Sequence, residues 1–305
     1  MRLRSVDLDG DEFPGKTAAA FGADVQRVDC RDLAQRLRLW TTRRTMAAFA
    51  ARLARAGEPV GTGTVLTLLG SGDYHHLNTV LLSQVHEPFT LIHFDNHPDW
   101  VRLAPRYHCG SWVNRALALP NLKRIVTLGP CSDDLVWPEF KGGNLAALES
   151  GRLELYPWRH EPSTVLRRRR TCDSFRQDGH RLYWRTVGDG AWPQFIDELR
   201  SRIPTEAIWF TIDKDVLRPA DAATNWDQGE MPLEALLQGV RGLAKGKRVL
   251  GADLCGDYSP PAFGWNLLKR IESWQDHPPA PDRASRDRNA GITHAIVDAL
   301  RGVMI

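Results

Sequence analysis

Short apolar runs closed by Gly, Pro or Asp alternate along this chain with longer stretches of helical periodicity. The runs Val65–Leu69, Phe89–Phe94, Arg124–Leu128, Leu153–Tyr156, Ala207–Ile212 and Arg248–Ala252 predict strands buried on both faces. Between them, Thr42–Arg55, Leu77–Val85, Trp192–Ser201, Leu233–Leu243, Trp265–Trp274 and Ala290–Arg301 predict helices. In the first of these, Met46, Phe49 and Leu53 recur at helical spacing. Alternation of this kind predicts an α/β fold wound around a parallel sheet. Two stretches interrupt it. Arg159–Asp189, with Arg167–Arg170, reads as an exposed basic excursion, and His277–Asp287 reads as a loop before the last helix. Neither has the character of a linker, so residues 1–305 read as one domain.

Composition narrows the class. Of 305 residues, 42% are hydrophobic and 25% charged, which is ordinary for a globular chain. The net charge of +3 is too small to suggest a nucleic-acid partner. No apolar run approaches membrane-spanning length, so no membrane partner is expected. The opening residues 1–10 turn acidic at Asp7 and Asp9 and lack the apolar core of a signal peptide. Five scattered Cys without a CxxC spacing read as reduced thiols. These features predict a cytoplasmic protein.

Histidine is unevenly placed. Six of the ten His lie between residues 75 and 108, so a metal becomes the first chemistry to consider. Open parallel sheets gather ligands beyond the carboxyl ends of their strands. Three polar clusters fall there: Gly70-Ser71-Gly72-Asp73-Tyr74-His75-His76, Asp95-Asn96-His97-Pro98-Asp99, and Thr211-Ile212-Asp213-Lys214-Asp215. Each alone has a plainer reading, respectively a capped helix start, an Asx-Pro turn and a polar strand end. Together, Asp95, Asp99, Asp213 and Asp215 bring four negative charges that two divalent cations would neutralise. The set is rich in oxygen, with imidazole and no thiolate. It suits Mn²⁺, with Fe²⁺, Zn²⁺ and Mg²⁺ as further candidates.

The ordered trio Gly-Asp-(Tyr)-His, Asp-x-His-x-Asp and Thr-x-Asp-x-Asp resembles the ureohydrolase superfamily of arginases, agmatinases and formiminoglutamases, over roughly Leu66 to Pro260. The resemblance implies a three-layer α/β/α fold with a mainly parallel sheet. It also implies a binuclear Mn²⁺ site whose bridging hydroxide attacks a guanidino or related linear C–N bond, releasing urea (or an amide) and an amine. Its metal ligands would be His75, Asp95, His97, Asp99, Asp213 and Asp215, with His76 a rival to His75. His108, in His-Cys-Gly, resembles a family His that assists proton transfer. Asp257 resembles the position of a family Glu that pairs with the substrate cation. The implied partner is a small cationic or guanidino substrate, and homo-oligomers are common among relatives. Arg218-Pro219 stands where the family usually has Asp-Pro.

Two other classes stay open. One is a deacetylase-like zinc amidohydrolase on a related fold, with Tyr258 polarising an amide carbonyl. The other is a non-catalytic metal-binding member. Cys109 reads as a small structural Cys and His93 as a buried, hydrogen-bonded residue. Trp100 and Trp112 flank the motifs and read as packing residues.

Overall fold

All six apolar runs become strands of one sheet. The structure, a computed structural model, describes residues 1–9, 25–57, 63–102 and 107–304. In chain order the strands are β1 (Arg2–Asp7), β2 (Val25–Asp29), β3 (Trp40–Thr41), β4 (Val65–Gly70), β5 (Phe89–Phe94), β6 (Tyr107–His108) and β7 (Leu122–Leu128). They continue with β8 (Leu153–Tyr156), β9 (Ser163–Thr164), β10 (Phe175–Asp178), β11 (Arg181–Trp184), β12 (Ala207–Asp213) and β13 (Arg248–Cys255). The main sheet runs β2-β1-β4-β13-β12-β5-β7-β8, with every neighbouring pair parallel.

Alternation along each strand sends side chains to two separate cores. In β5, Phe89 and Leu91 join one core while Ile92 and Phe94 join the other. The first core takes Leu33, Met46, Phe49, Leu53 and Leu81, from helices Arg31–Leu37, Arg43–Arg55 and Asn78–Leu82. The second takes Phe195, Leu199, Leu236, Val240, Ile296 and Leu300, from Trp192–Arg202, Leu233–Ala244 and Arg283–Arg301. The result is a three-layer α/β/α fold of arginase-like type. Among the described residues, no helix is long and apolar enough to cross a membrane.

Three features differ from the sequence reading. Strands β1 and β2 join the sheet although charges interrupt them; Arg4 is nevertheless buried, its Nε donating to Gln26 Oε1 at 2.8 Å. The basic excursion is partly folded: β10, β11 and β9 form an antiparallel sheet that buries Val165, Phe175, Leu182 and Trp184. There Arg169 pairs with Glu139 at 2.5 Å, while Arg167, Arg168 and Arg170 are exposed. The last helix begins at Arg283, capped by Asp282, whose Oδ1 accepts the Ser285 N–H at 2.7 Å.

The order β4-β13-β12-β5 at the sheet centre positions the chemistry. Cys255 registers with both Gly70 and Asp213, and Ile212 with Phe94. The segments that follow these strands therefore emerge side by side at one edge.

Candidate metal centre

Beyond β4, Gly70 turns with φ 79°, and the Ser71 hydroxyl accepts the Asp73 N–H at 3.2 Å. This starts a tight helical turn, Gly72–Leu77, in which Tyr74, His75 and His76 are all buried. Beyond β5, Asp99 sits in the left-handed region at φ 47°, with the Trp112 indole N–H donating to its Oδ2. A non-glycine residue held there stores strain that packing must sustain. Beyond β12, Asp213 Oδ1 accepts the Asp215 N–H at 3.0 Å, which turns the second carboxylate toward the first.

His75 Nδ1 lies 3.1 Å from Asp95 Oδ2, 3.5 Å from Asp99 Oδ2 and 3.6 Å from Asp213 Oδ2. Its Nε2 lies 2.8 Å from Thr211 Oγ1, whose own hydroxyl donates to Asp253 Oδ1 at 2.6 Å. Thr211 has one proton to give, so it must accept from His75. That assigns the proton of the neutral imidazole to Nε2 and leaves a lone pair on Nδ1. Nδ1 makes no hydrogen bond despite its approach to Asp95. His97 differs in having carboxylates on both ring nitrogens. Its Nε2 lies 2.8 Å from Asp227 Oδ1, and its Nδ1 lies 3.0 Å from Asp215 Oδ2 and 3.6 Å from Asp95 Oδ1.

The His75 lone pair thus faces carboxylate oxygens, acceptor against acceptor, while the His97 Nδ1 hydrogen-bonds Asp215 Oδ2. Only a cation or a proton between His75 and those oxygens makes that packing favourable. The titration directions agree. Burial, then the charge of Asp95, pushes Asp99 well up and Asp213 up. Burial and then Asp213 do the same to Asp215. Burial opposes charging of His75, but Asp95, Asp213 and Asp99 outweigh it and raise the imidazole to about 9. Without metal, this cluster balances its charge by taking up protons, for which divalent cations would compete.

His75, Asp95, His97, Asp99, Asp213 and Asp215 therefore come together, with Asp95 between the two imidazoles. His76 does not join them: it is buried, neither ring nitrogen hydrogen-bonds, and burial, then His108 and Lys269, hold its pKa far down. His93 supports the cluster by donating from Nε2 to Asp95 Oδ2 at 2.8 Å. Cys255 Sγ is 3.1 Å from Asp213 Oδ2, and burial pushes this thiol well up, so it stays protonated. Gly72 and Gly256 leave room for Asp213. A Cβ at Gly256, where φ is +91°, would stand 2.3 Å from Asp213 Oδ1. Gly256→Ala should add about 1–3 kcal/mol of strain and weaken Mn²⁺ uptake at least about tenfold. Calorimetric titration checks this, and an unchanged affinity would count against Asp213 as a ligand.

A cavity of about 530 Å³ opens over the cluster. His108, Cys109, Trp226 and Asp227 line it, with Asp133, Asp134 and Asp276 adding negative charge and Lys141 one positive charge. His108 is carried on β6, which pairs with β3. Its Nδ1 accepts the Gly110 N–H at 2.9 Å, and its Nε2 faces Glu272 Oε1 at 2.5 Å. Asp257 is not brought to this cavity. Its carboxylate takes the ammonium of the fully buried Lys214, which also donates to Thr293 Oγ1 at 2.8 Å. A buried cation needs that countercharge, and the chain turns away from the cluster at Gly256. Tyr258 also lies off the cavity lining, with the Arg286 guanidinium 5.6 Å from its ring centroid.

No sequence motif marks Asp227 and Glu272, which hold His97 and His108: Asp227 comes from a loop, and Glu272 from a helix whose apolar pattern points away from the site.

No family model matches the chain. An uncharacterised protein of Thermotoga maritima is 28% identical over 202 residues, which is 66% of this chain and 61% of that protein's length. Among solved structures, arginase from Bacillus cereus aligns with a TM-score of 0.59 at 14% identity, covering 98% of each chain. Agmatine ureohydrolase of Thermoplasma volcanium aligns at 0.55 with 12% identity, over 97% of this chain and 88% of that one. Proclavaminate amidino hydrolase from Streptomyces clavuligerus aligns at 0.52 with 14% identity, over 96% and 88%.

Proposed function

With the fold of these ureohydrolase structures as premise, we propose that the chain is a binuclear metal-dependent hydrolase of the same superfamily. It would act on a guanidino or related linear C–N bond and release urea (or an amide) and an amine. One observation carries the reading: the unbonded Nδ1 of the buried His75 and the Nδ1 of His97 both face carboxylates that Asp95 links. His75, Asp95, Asp99 and Asp213 would hold one ion, and Asp95, His97 and Asp215 the other. Two divalent ions, best Mn²⁺ for this donor set, would supply electrostatic polarisation of substrate and water when bound.

The chain's own residues would do the rest. His93 and the His97 N–H, the latter 2.6 Å from Asp95 Oδ1, fix both oxygens of Asp95. Asp227 orients the His97 ring through Nε2, and Thr211 fixes the tautomer of His75. The acidic lining favours a cationic substrate over an anionic one. His108 lines the wall with the Gly110 N–H on its Nδ1 and Glu272 on its Nε2, so it would hand a proton to the departing amine by releasing Nε2 from Glu272.

A screen for urea and amine release tests the reading, using guanidino acids, guanidino amines and acylated amines with added Mn²⁺. Turnover of a guanidine with urea release supports it; amine release from acylated amines alone overturns it for a deacylase. In the active sample, His108→Ala should keep its metal and lose about 10²–10⁴-fold in kcat. Unchanged turnover would remove His108 from the mechanism.

A further inference from the structure

Helix Leu267–Asp276 is built inside out. Lys269, Glu272 and Ser273 face the protein. Lys269 is 1% exposed and donates to the Gln35 and Arg36 carbonyls at 3.1 and 3.2 Å, and Ser273 bonds His277 Nδ1 at 2.8 Å. Glu272 accepts from the Trp40 indole at 2.8 Å and holds His108. Its apolar residues face outward: Leu267 is 65% exposed, Leu268 69%, Ile271 45% and Trp274 82%, with Trp265 just before them at 101%. Amphipathic helices ordinarily bury the apolar stripe and solvate the polar one.

We propose that this outward face is a docking surface for a second copy of the chain. The area argues for it. With a whole Trp worth up to about 250 Å², the five side chains expose on the order of 700 Å². That exceeds the roughly 300–600 Å² of a typical monomer's largest apolar patch. It approaches the roughly 800 Å² that each partner gives to a stable interface. One face meeting its own copy about a two-fold axis satisfies both sides with the same residues. The charges argue against a lipid surface. Membrane-lying helices turn a basic face to water, whereas here Lys269 points inward and Arg270 is the single exposed basic residue of the helix. Association would brace the helix whose inner side holds His108, so the interface and the cavity share one element. The inference does not depend on the reaction proposed above.

Analytical ultracentrifugation of the full chain at micromolar concentration tests it. The wild type should sediment as a dimer, and the pair Leu268→Glu with Trp274→Glu as a monomer with an unchanged far-ultraviolet spectrum. Phe140→Glu, at a separate exposed aromatic, should remain dimeric. As an independent measurement in an otherwise native chain, Ile271→Cys should give a covalent dimer with a short bis-maleimide. A monomeric wild type overturns the proposal, as does a dimer that survives the double substitution or fails to cross-link at residue 271. Loss of wild-type binding to phosphatidylserine vesicles in the double variant would also overturn it, by making lipid the occupant.

Discussion

Asp95→Ala is expected to leave at most one metal ion per chain and to lower hydrolysis more than 100-fold. Loss of an outer-shell partner typically costs about 10–100-fold, and Asp95 stands closer to the chemistry than that. One of its oxygens is 3.1 Å from His75 Nδ1 and the other 3.6 Å from His97 Nδ1. Removing it empties the point where both candidate ion sites meet. It also strands the His93 Nε2–H and the His97 backbone N–H, which now end on the carboxylate. Metal analysis of the purified variant, beside the urea assay, reads both effects. Two ions per chain with full turnover after this change would remove the site as assigned.

Metal removal should show as strongly in stability. Saturating Mn²⁺ would bind the folded cluster and not the dispersed ligands of the unfolded chain. Each site filled at a hundred times its dissociation constant adds about 2.7 kcal/mol. For a chain of this size that raises the melting temperature by several degrees, and a chelator should reverse the rise. Relief of repulsion among Asp95, Asp99, Asp213 and Asp215 works in the same direction, since burial and mutual charge disfavour ionisation of the last three. Superimposable melts with Mn²⁺ and with chelator would show that no cation occupies the cluster. Asp95→Ala should flatten the response.

How much could be read from the chain alone follows from where each residue sits. Strands covered on both faces are apolar, so β4, β5, β7, β12 and β13 inside the sheet, and β8 at its far edge, stand out as apolar runs. β1 and β2 lie at and beside the edge of the sheet, where Arg2, Arg4 and Arg27 dilute that signal. The residues that cluster around Asp95 directly follow strand ends, and a parallel sheet brings those ends together whatever the intervening loops do. Asp227 and Glu272 reach the site from a loop and from an inverted helix, and no periodicity encodes either. The helix itself shows the limit of pattern reading. Its apolar spacing is genuine, but the stripe faces solvent, because Lys269 and Glu272 find partners only in the three-dimensional arrangement. For Asp257, a single left-handed glycine at 256 and the demand of Lys214 redirect a carboxylate that linear spacing had aimed at the cavity.

The strand order bears on biosynthesis. β13 fills the gap between β4 and β12, yet the ribosome makes it after both. Until residue 255 has emerged, the segment carrying His75 has no continuous sheet to join it to those carrying Asp95 and Asp213. Asp95, His97 and Asp215 can meet once β5 and β12 pair, but His75 joins them only after β13 is in place. Completion of the full cluster is therefore a late event, coupled to insertion of one strand made after β12.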